Sequence, residues 1–268
     1  MLNARHAAVL ALGLLGLLVG CVPLHSYTAL GEVEVVQSEL DGTIRFSDEA
    51  LPGTDIDVVD SLGIDRDEVI AAYRGAVNFG PVSVEVEYAE AEYTGDAILT
   101  EDITFLGETF TVSSDVASKL TGLMAGGKVR FGLLGVGSQE GKPGVVVGGI
   151  VGLQYMELSA ELVSTSLGLR GEDTERVVFP VVGGSVRLDQ PLGGNAMLFV
   201  EADASGMQVS NSDADGTFLD ATLHLGLVLR EVFTFGGGYR FRRVDFEIED
   251  DEVDVDVDGP FVFAGLRF

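Results

Sequence analysis

Little in this 268-residue chain could do covalent chemistry. It holds one cysteine, Cys21, and three histidines, of which His6 and His25 lie near the amino terminus and His224 deep in the sequence. The remaining chemistry is ionic, carried by Arg74, Glu85, Glu87, Lys128, Arg130, Arg187, Glu201, Asp203, Asp220 and Arg240, each set among apolar neighbours. The stretch from Phe218 to Arg230 shows how. Leu219, Ala221, Leu223, Leu225, Leu227 and Leu229 fall on one face of an extended strand, and Asp220, Thr222, His224, Gly226 and Arg230 fall on the other. Alternation with period two means a β-strand, because successive side chains point to opposite sides. In a half-buried soluble strand the charged face meets water; in a membrane barrel it lines the lumen and the leucines meet lipid.

The elements that must position these residues repeat the pattern. Ten strands are predicted, over 29–40, 69–79, 82–93, 119–133, 145–158, 176–188, 196–209, 218–230, 233–248 and 260–268. Most are long enough for the ~9–11 residues that cross a bilayer at a tilt. Their number is even, and short turns such as Gly80-Pro81 alternate with long loops. Phe79, Phe131, Phe233, Phe235 and Phe268 collect at one rim, with Tyr93 and Tyr155 nearer the other, like interfacial girdles. The expected fold is all-β: a transmembrane antiparallel up-and-down β-barrel of about ten strands, with eight as the alternative. In the ninth strand the phase is expected to slip at Arg242-Arg243, through a bulge or at the point where the strand leaves the lipid.

Composition narrows the class. A net charge of −27 excludes nucleic-acid binding, which needs a basic surface. One cysteine excludes a disulfide framework. The amino terminus reads as a targeting segment, with Arg5 ahead of the apolar run Ala7–Gly20, and it stands apart from the fold. This divides the chain into a signal peptide (1–20), a linker (21–28) and a barrel (29–268).

Three stretches carry resemblances. Leu18-Val19-Gly20-Cys21 resembles the lipobox of bacterial lipoproteins, which implies that Cys21 is lipidated and becomes the new amino terminus; Val22 in place of Asp implies release to the outer membrane. Ala264-Gly-Leu-Arg-Phe268 resembles the carboxy-terminal signature of bacterial outer-membrane barrels, which implies that Phe268 is read by the barrel-assembly machinery. Leu62-Gly-Ile-Asp and Ile103-Thr-Phe-Leu-Gly-Glu-Thr-Phe110 resemble segments of a family of small, uncharacterised outer-membrane barrels, a resemblance that implies a fold and a location but no activity. With ten strands both termini lie on one side, expected to be periplasmic. The loops at 48–68, 94–118, 168–175, 210–216 and 249–258 are then expected outside, among lipid and lipopolysaccharide.

A barrel of this size is filled by its own side chains, so charges in the lumen must pair. A two-residue turn at Gly80-Pro81 sets Phe79 opposite Val82 and hence Arg74 opposite Glu87. Glu85 and Glu87 fall beside Lys128 and Arg130, and Glu201, Asp203 and Asp220 face Arg187, Arg230, Arg240 and Arg267. The expected role is a structural ionic plug, with a narrow gated pore as the alternative. Outer-membrane barrel enzymes place Ser and His near the lipid, or Asp and His at the outer rim; a mid-strand His224 reaches neither position, and a general base must come within about 3 Å of its substrate proton. His224 is therefore expected to be a polar filler, with no catalytic residue, cofactor or metal in the chain. The acidic run Glu249–Asp258 alternates Asp with Val, so its carboxylates spread along one face. It lacks the frame of a calcium loop, and weak divalent-cation contact is the most it offers. The expected function is that of an outer-membrane lipoprotein with a structural or surface-interaction role; a lipid-anchored, lipocalin-like binder of a small apolar ligand is the rival from another class, and a lipid-modifying barrel enzyme a further one.

Overall fold

The computed structural model describes residues 27–47, 52–136, 143–210, 214–248 and 251–268. The leader 1–20, Cys21 and most of the linker 21–28 lie outside them. The described chain forms β1 (Tyr27–Arg45), β2 (Ile56–Asp57), β3 (Asp67–Phe79), β4 (Val82–Ile98), β5 (Ile103–Phe105), β6 (Glu108–Phe110), β7 (Asp115–Val136), β8 (Gly144–Ser164), β9 (Leu169–Gly193), β10 (Ala196–Ser210), β11 (Ala214–Leu229), β12 (Phe233–Ile248) and β13 (Asp251–Arg267).

Ten of these strands make one antiparallel sheet in sequence order, and β13 pairs with β1 to close it. The seam runs from Leu30 opposite Arg267 to Arg45 opposite Glu252. The expected ten-stranded barrel is thus present, with β2 appended to β1 and β5–β6 forming a separate hairpin. The short turns of the described chain lie at the end where β1 begins and β13 finishes. Gly80-Pro81 makes the predicted two-residue turn, with Gly80 in the left-handed region and Phe79 opposite Val82.

Several strands outrun their predicted bounds. The segment 168–175, expected to be a loop, is mostly the start of β9, and β13 begins at Asp251 rather than at Pro260. No bulge occurs at Arg242-Arg243: β12 keeps an unbroken register against both neighbours from Phe233 to Ile248. The irregularities fall instead at Gly132/Leu134 and Ala196/Met197. What changes at Arg242 is the chemistry of the two faces. From Phe233 to Tyr239 the outward residues are aromatic or glycine; from Arg243 onward they are charged, while Val244 and Phe246 turn inward and are buried.

The same inversion encircles the barrel. Toward the termini Val35, Val151, Leu153, Val182, Leu225 and Val262 are exposed on the outside. Toward the far end the outside carries pairs such as Lys119–Glu92, Arg176–Glu157 and Arg243–Asp254, and the inside is a hydrophobic core. Tyrosines mark the boundary. Tyr73 lies opposite Tyr88, which shares a row with Ala125 and Tyr155, and Tyr239 lies opposite Leu223 and Pro260. Tyr93, expected in this girdle, instead points inward and is buried, sharing a 2.7 Å hydrogen bond with Ser38.

The far-end core explains where two long loops go. They are expected outside the barrel, yet Ile56, Val58, Leu62 and Ile64 from the first, and Leu99, Ile103, Phe105 and Phe110 from the second, are buried in it. Phe46 meets Phe105 edge to face at 5.4 Å. Val253 and Val255 join from the acidic run, while the alternate Asp254 and Asp256 face outward toward Arg243. An apolar cap therefore fills the far mouth of the barrel, driven by the burial of these side chains.

Candidate functional site

The lumen between the cap and the termini holds the predicted ionic residues, brought together from eight strands. Period-two alternation turns each of them inward on the strands whose other face is apolar. Nearest the cap, Lys128 Nζ lies 2.7 Å from Asp220 and 3.6 Å from Glu87, and Arg242 lies 3.3 Å from Glu87 and 3.5 Å from Asp220. Arg242 also reaches the Met124 sulfur at 2.8 Å.

A second group centres on Arg130, which lies 3.0 Å from Glu85 and 3.2 Å from Asp203 and pairs closely with Glu201. Arg187 adds contacts at 2.8 Å to Glu201 and 3.0 Å to Asp189, and its guanidinium sits 4.5 Å over the Phe199 ring. A third group faces these from β1. Arg74 lies 2.8 Å from Glu32, and Glu34 lies 3.3 Å from Arg240.

All the predicted lumen residues except Arg230 thus line the interior, but one pairing differs. Arg74 does stand opposite Glu87 in register, yet its guanidinium turns to Glu32 on the other neighbouring strand. Glu87 is left to Lys128 and Arg242. Arg230 is not in the lumen: it occupies a left-handed turn position and is exposed. Glu32, Glu34 and Arg242 belong to the network and were missed as site residues. Glu32 and Glu34 alternate with the exposed Val33 and Val35, which was the available signal. Arg242 was obscured by the supposed phase slip.

His224 is buried, with Nε2 at 3.5 Å from Glu34 and 3.4 Å from an Arg74 Nη1. Its ring packs edge to face on Phe261 at 5.0 Å and Phe263 at 5.6 Å. These aromatics fit because glycines face them: a Cβ on Gly226 would meet the Phe199 ring at 2.6 Å, and one on Gly238 the Phe261 ring at 2.4 Å. Glu201, Asp203 and His224 bring ligand atoms within 4.8 Å of one another. Guanidinium groups already stand where a cation would have to sit, since Arg130 pairs with both carboxylates and Arg74 adjoins the imidazole. A half-buried acidic trio, Asp173, Glu175 and Asp251, lies at the far rim.

Below the network the lumen opens into a recess of about 640 Å³ at the terminal end. Arg74, Arg130, Arg187 and Arg267 line it together with Leu30, Met197, Phe199 and Val228.

The outer-membrane protease OmpT of Escherichia coli superposes with a TM-score of 0.50 at 9% identity, covering 90% of this chain and 96% of that one. The fold is that of an outer-membrane β-barrel. At 9% identity the likeness extends to the fold alone. Ail of Yersinia pestis (TM-score 0.36, 11% identity, 91% and 99% covered) and the translocator domain of the autotransporter NalP of Neisseria meningitidis (0.32, 15%, 99% and 97%) align more loosely. No protein-family model matches the chain, and no curated protein does.

Proposed function

We propose that this chain is an outer-membrane lipoprotein whose barrel is closed from within and serves a structural or surface-interaction role. One observation carries the reading: the inversion of both faces at the tyrosine row. Below it, leucine, valine and phenylalanine cover the outside while charges pair within; above it, charges face out and the interior is apolar. Lipid outside the lower half and water outside the upper half account for both. The tyrosines sit at the boundary, where rings with an apolar body and a polar tip are favoured.

On this reading Cys21 carries the lipid, both termini are periplasmic, and Phe268 serves the assembly machinery. The acidic far end then stands among lipopolysaccharide, where divalent cations can bridge carboxylates to phosphates. The ionic network and the apolar cap close the lumen in series. A lipocalin-like soluble barrel would need the opposite arrangement in its lower half, with an apolar lining and a charged exterior.

The test is extraction of native membranes with alkaline carbonate, followed by gels of boiled and unboiled samples. The expected result is a protein that stays with the membrane and migrates differently when unheated. Release by carbonate, or identical migration, would overturn the membrane reading in favour of the soluble one.

A further inference from the structure

The recess at the terminal end of the lumen is lined by four arginines and four carboxylates, Glu32, Glu85, Asp189 and Glu201, but their ion pairs are unevenly shared. Of its four arginines, Arg74 is matched by Glu32, Arg130 by Glu85, and Arg187 by Glu201 and Asp189. Arg267 has no carboxylate partner among the described residues, although Arg187, Asp189 and Glu231 all exert charge on it. An arginine stays protonated at any ordinary pH, and its planar fork suits a carboxylate held through two hydrogen bonds.

The surrounding wall is mixed. Leu30 stands beside Arg267 across the β1–β13 seam, and Met197, Phe199 and Val228 add apolar surface. Ser83 Oγ, buried at the recess wall, has no hydrogen-bond partner. The volume of about 640 Å³ falls within the range of small-molecule sites, which combine an apolar lining with a few fixed polar groups.

We propose that this recess binds a small monoanionic amphiphile entering from the terminal end, its carboxylate on Arg267 and its apolar body against Met197, Phe199 and Val228. One anionic group is specified because one arginine, Arg267, stands outside the ion pairs that engage the other three. An apolar body is specified because the other lining cations are already neutralised and the wall beside them is hydrocarbon. This goes beyond a structural role: the same barrel that is closed to passage would hold a ligand at its open end.

The test is calorimetric titration of the full chain in phosphatidylcholine nanodiscs with hexanoate and, separately, with hexan-1-ol, each corrected against empty nanodiscs. Hexanoate is expected to bind once per barrel, with hexanol at least tenfold weaker. Arg267→Gln should weaken hexanoate at least tenfold and leave hexanol unchanged. Met197→Trp, which fills the recess and spares the charge, should abolish both. Arg267 adjoins the terminal Phe268, so each variant is first checked for heat-dependent migration; if Arg267→Gln fails to fold, the hexanoate–hexanol difference and Met197→Trp decide the matter. No hexanoate binding, equal binding of acid and alcohol, or unchanged binding in Met197→Trp would overturn the proposal, whereas the membrane reading would stand.

Discussion

Arg130 stands among three carboxylates, those of Glu85, Glu201 and Asp203. Its loss therefore strands several acids away from water at once. Arg130→Met should cost about 3–5 kcal/mol, the usual penalty for breaking a buried pair by removing one partner. Asp254→Asn removes an exposed partner of Arg243, 3.1 Å away on the outer face, and should cost under about 1 kcal/mol. Urea titration read by unheated gel migration compares the two. Glu175 gives a pH-dependent case beyond the tyrosine row. Burial first, then Asp251 and Asp173, push its carboxyl above the ordinary value of 4.5. The folded state then holds that proton more tightly than the unfolded chain, so stability falls as pH rises through the raised value. Glu175→Gln should stabilise the barrel at neutral pH by on the order of half a kcal/mol once solvent screening is allowed for. That gain should disappear below pH 4.5. A constant gain at every pH would show that charge is not the cause.

A single strand carries both environments, and β11 makes the contrast measurable. Leu225 and Thr217 point outward from the same strand, on opposite sides of the row that joins Leu223 to Tyr239. Leu225→Arg should cost about 2–4 kcal/mol, as for arginine on the lipid face at mid-depth. Thr217→Arg, whose neighbour across the ladder is Asp245, should change stability by no more than about 0.5 kcal/mol. Equal costs in a folding titration into lipid vesicles would mean that the tyrosine row is not the lipid boundary. The strands and their inward charges were legible in sequence because period two fixes each side chain's face wherever lipid or core lies on one side. The upper half was not. Its strands keep the same period while the meaning of each face reverses, so Arg242-Arg243 read as a slip and Val253 and Val255 as part of an outside loop. Nor does any local pattern say that an acidic loop will fold back into the barrel; only the apolar content of Ile103–Phe110 hinted at it. The partner of Arg74 was misassigned for a related reason: register names two neighbours for each inward residue, and side-chain reach chooses between them.

At the scale of the whole molecule, on the proposed reading, the cap and the ionic network close the same lumen by different physics. A ten-stranded barrel has an interior little wider than its side chains, so either barrier alone should stop ions. The cap excludes them by offering no polar partner; the network does so by filling the cross-section with groups held against one another at 2.7–3.6 Å. Neither barrier depends on the other, since the cap residues come from the far-end loops and strand ends and the network from mid-strand positions. Replacing 99–114 by a short Gly-Ser linker removes Phe105 and Phe110 from the cap while leaving β4 and β7 intact. That variant should remain silent in a planar bilayer, as should Lys128→Ser/Arg130→Ser in the otherwise unaltered chain. Only the combination should conduct. Its current should favour cations, because Glu85, Glu87, Glu201, Asp203 and Asp220 would then line the lumen without Lys128 and Arg130. Conductance from the loop variant alone would mean that the network leaves a continuous path. Silence in the combined variant, with folding confirmed by gel migration, would mean that the remaining arginines still fill the cross-section.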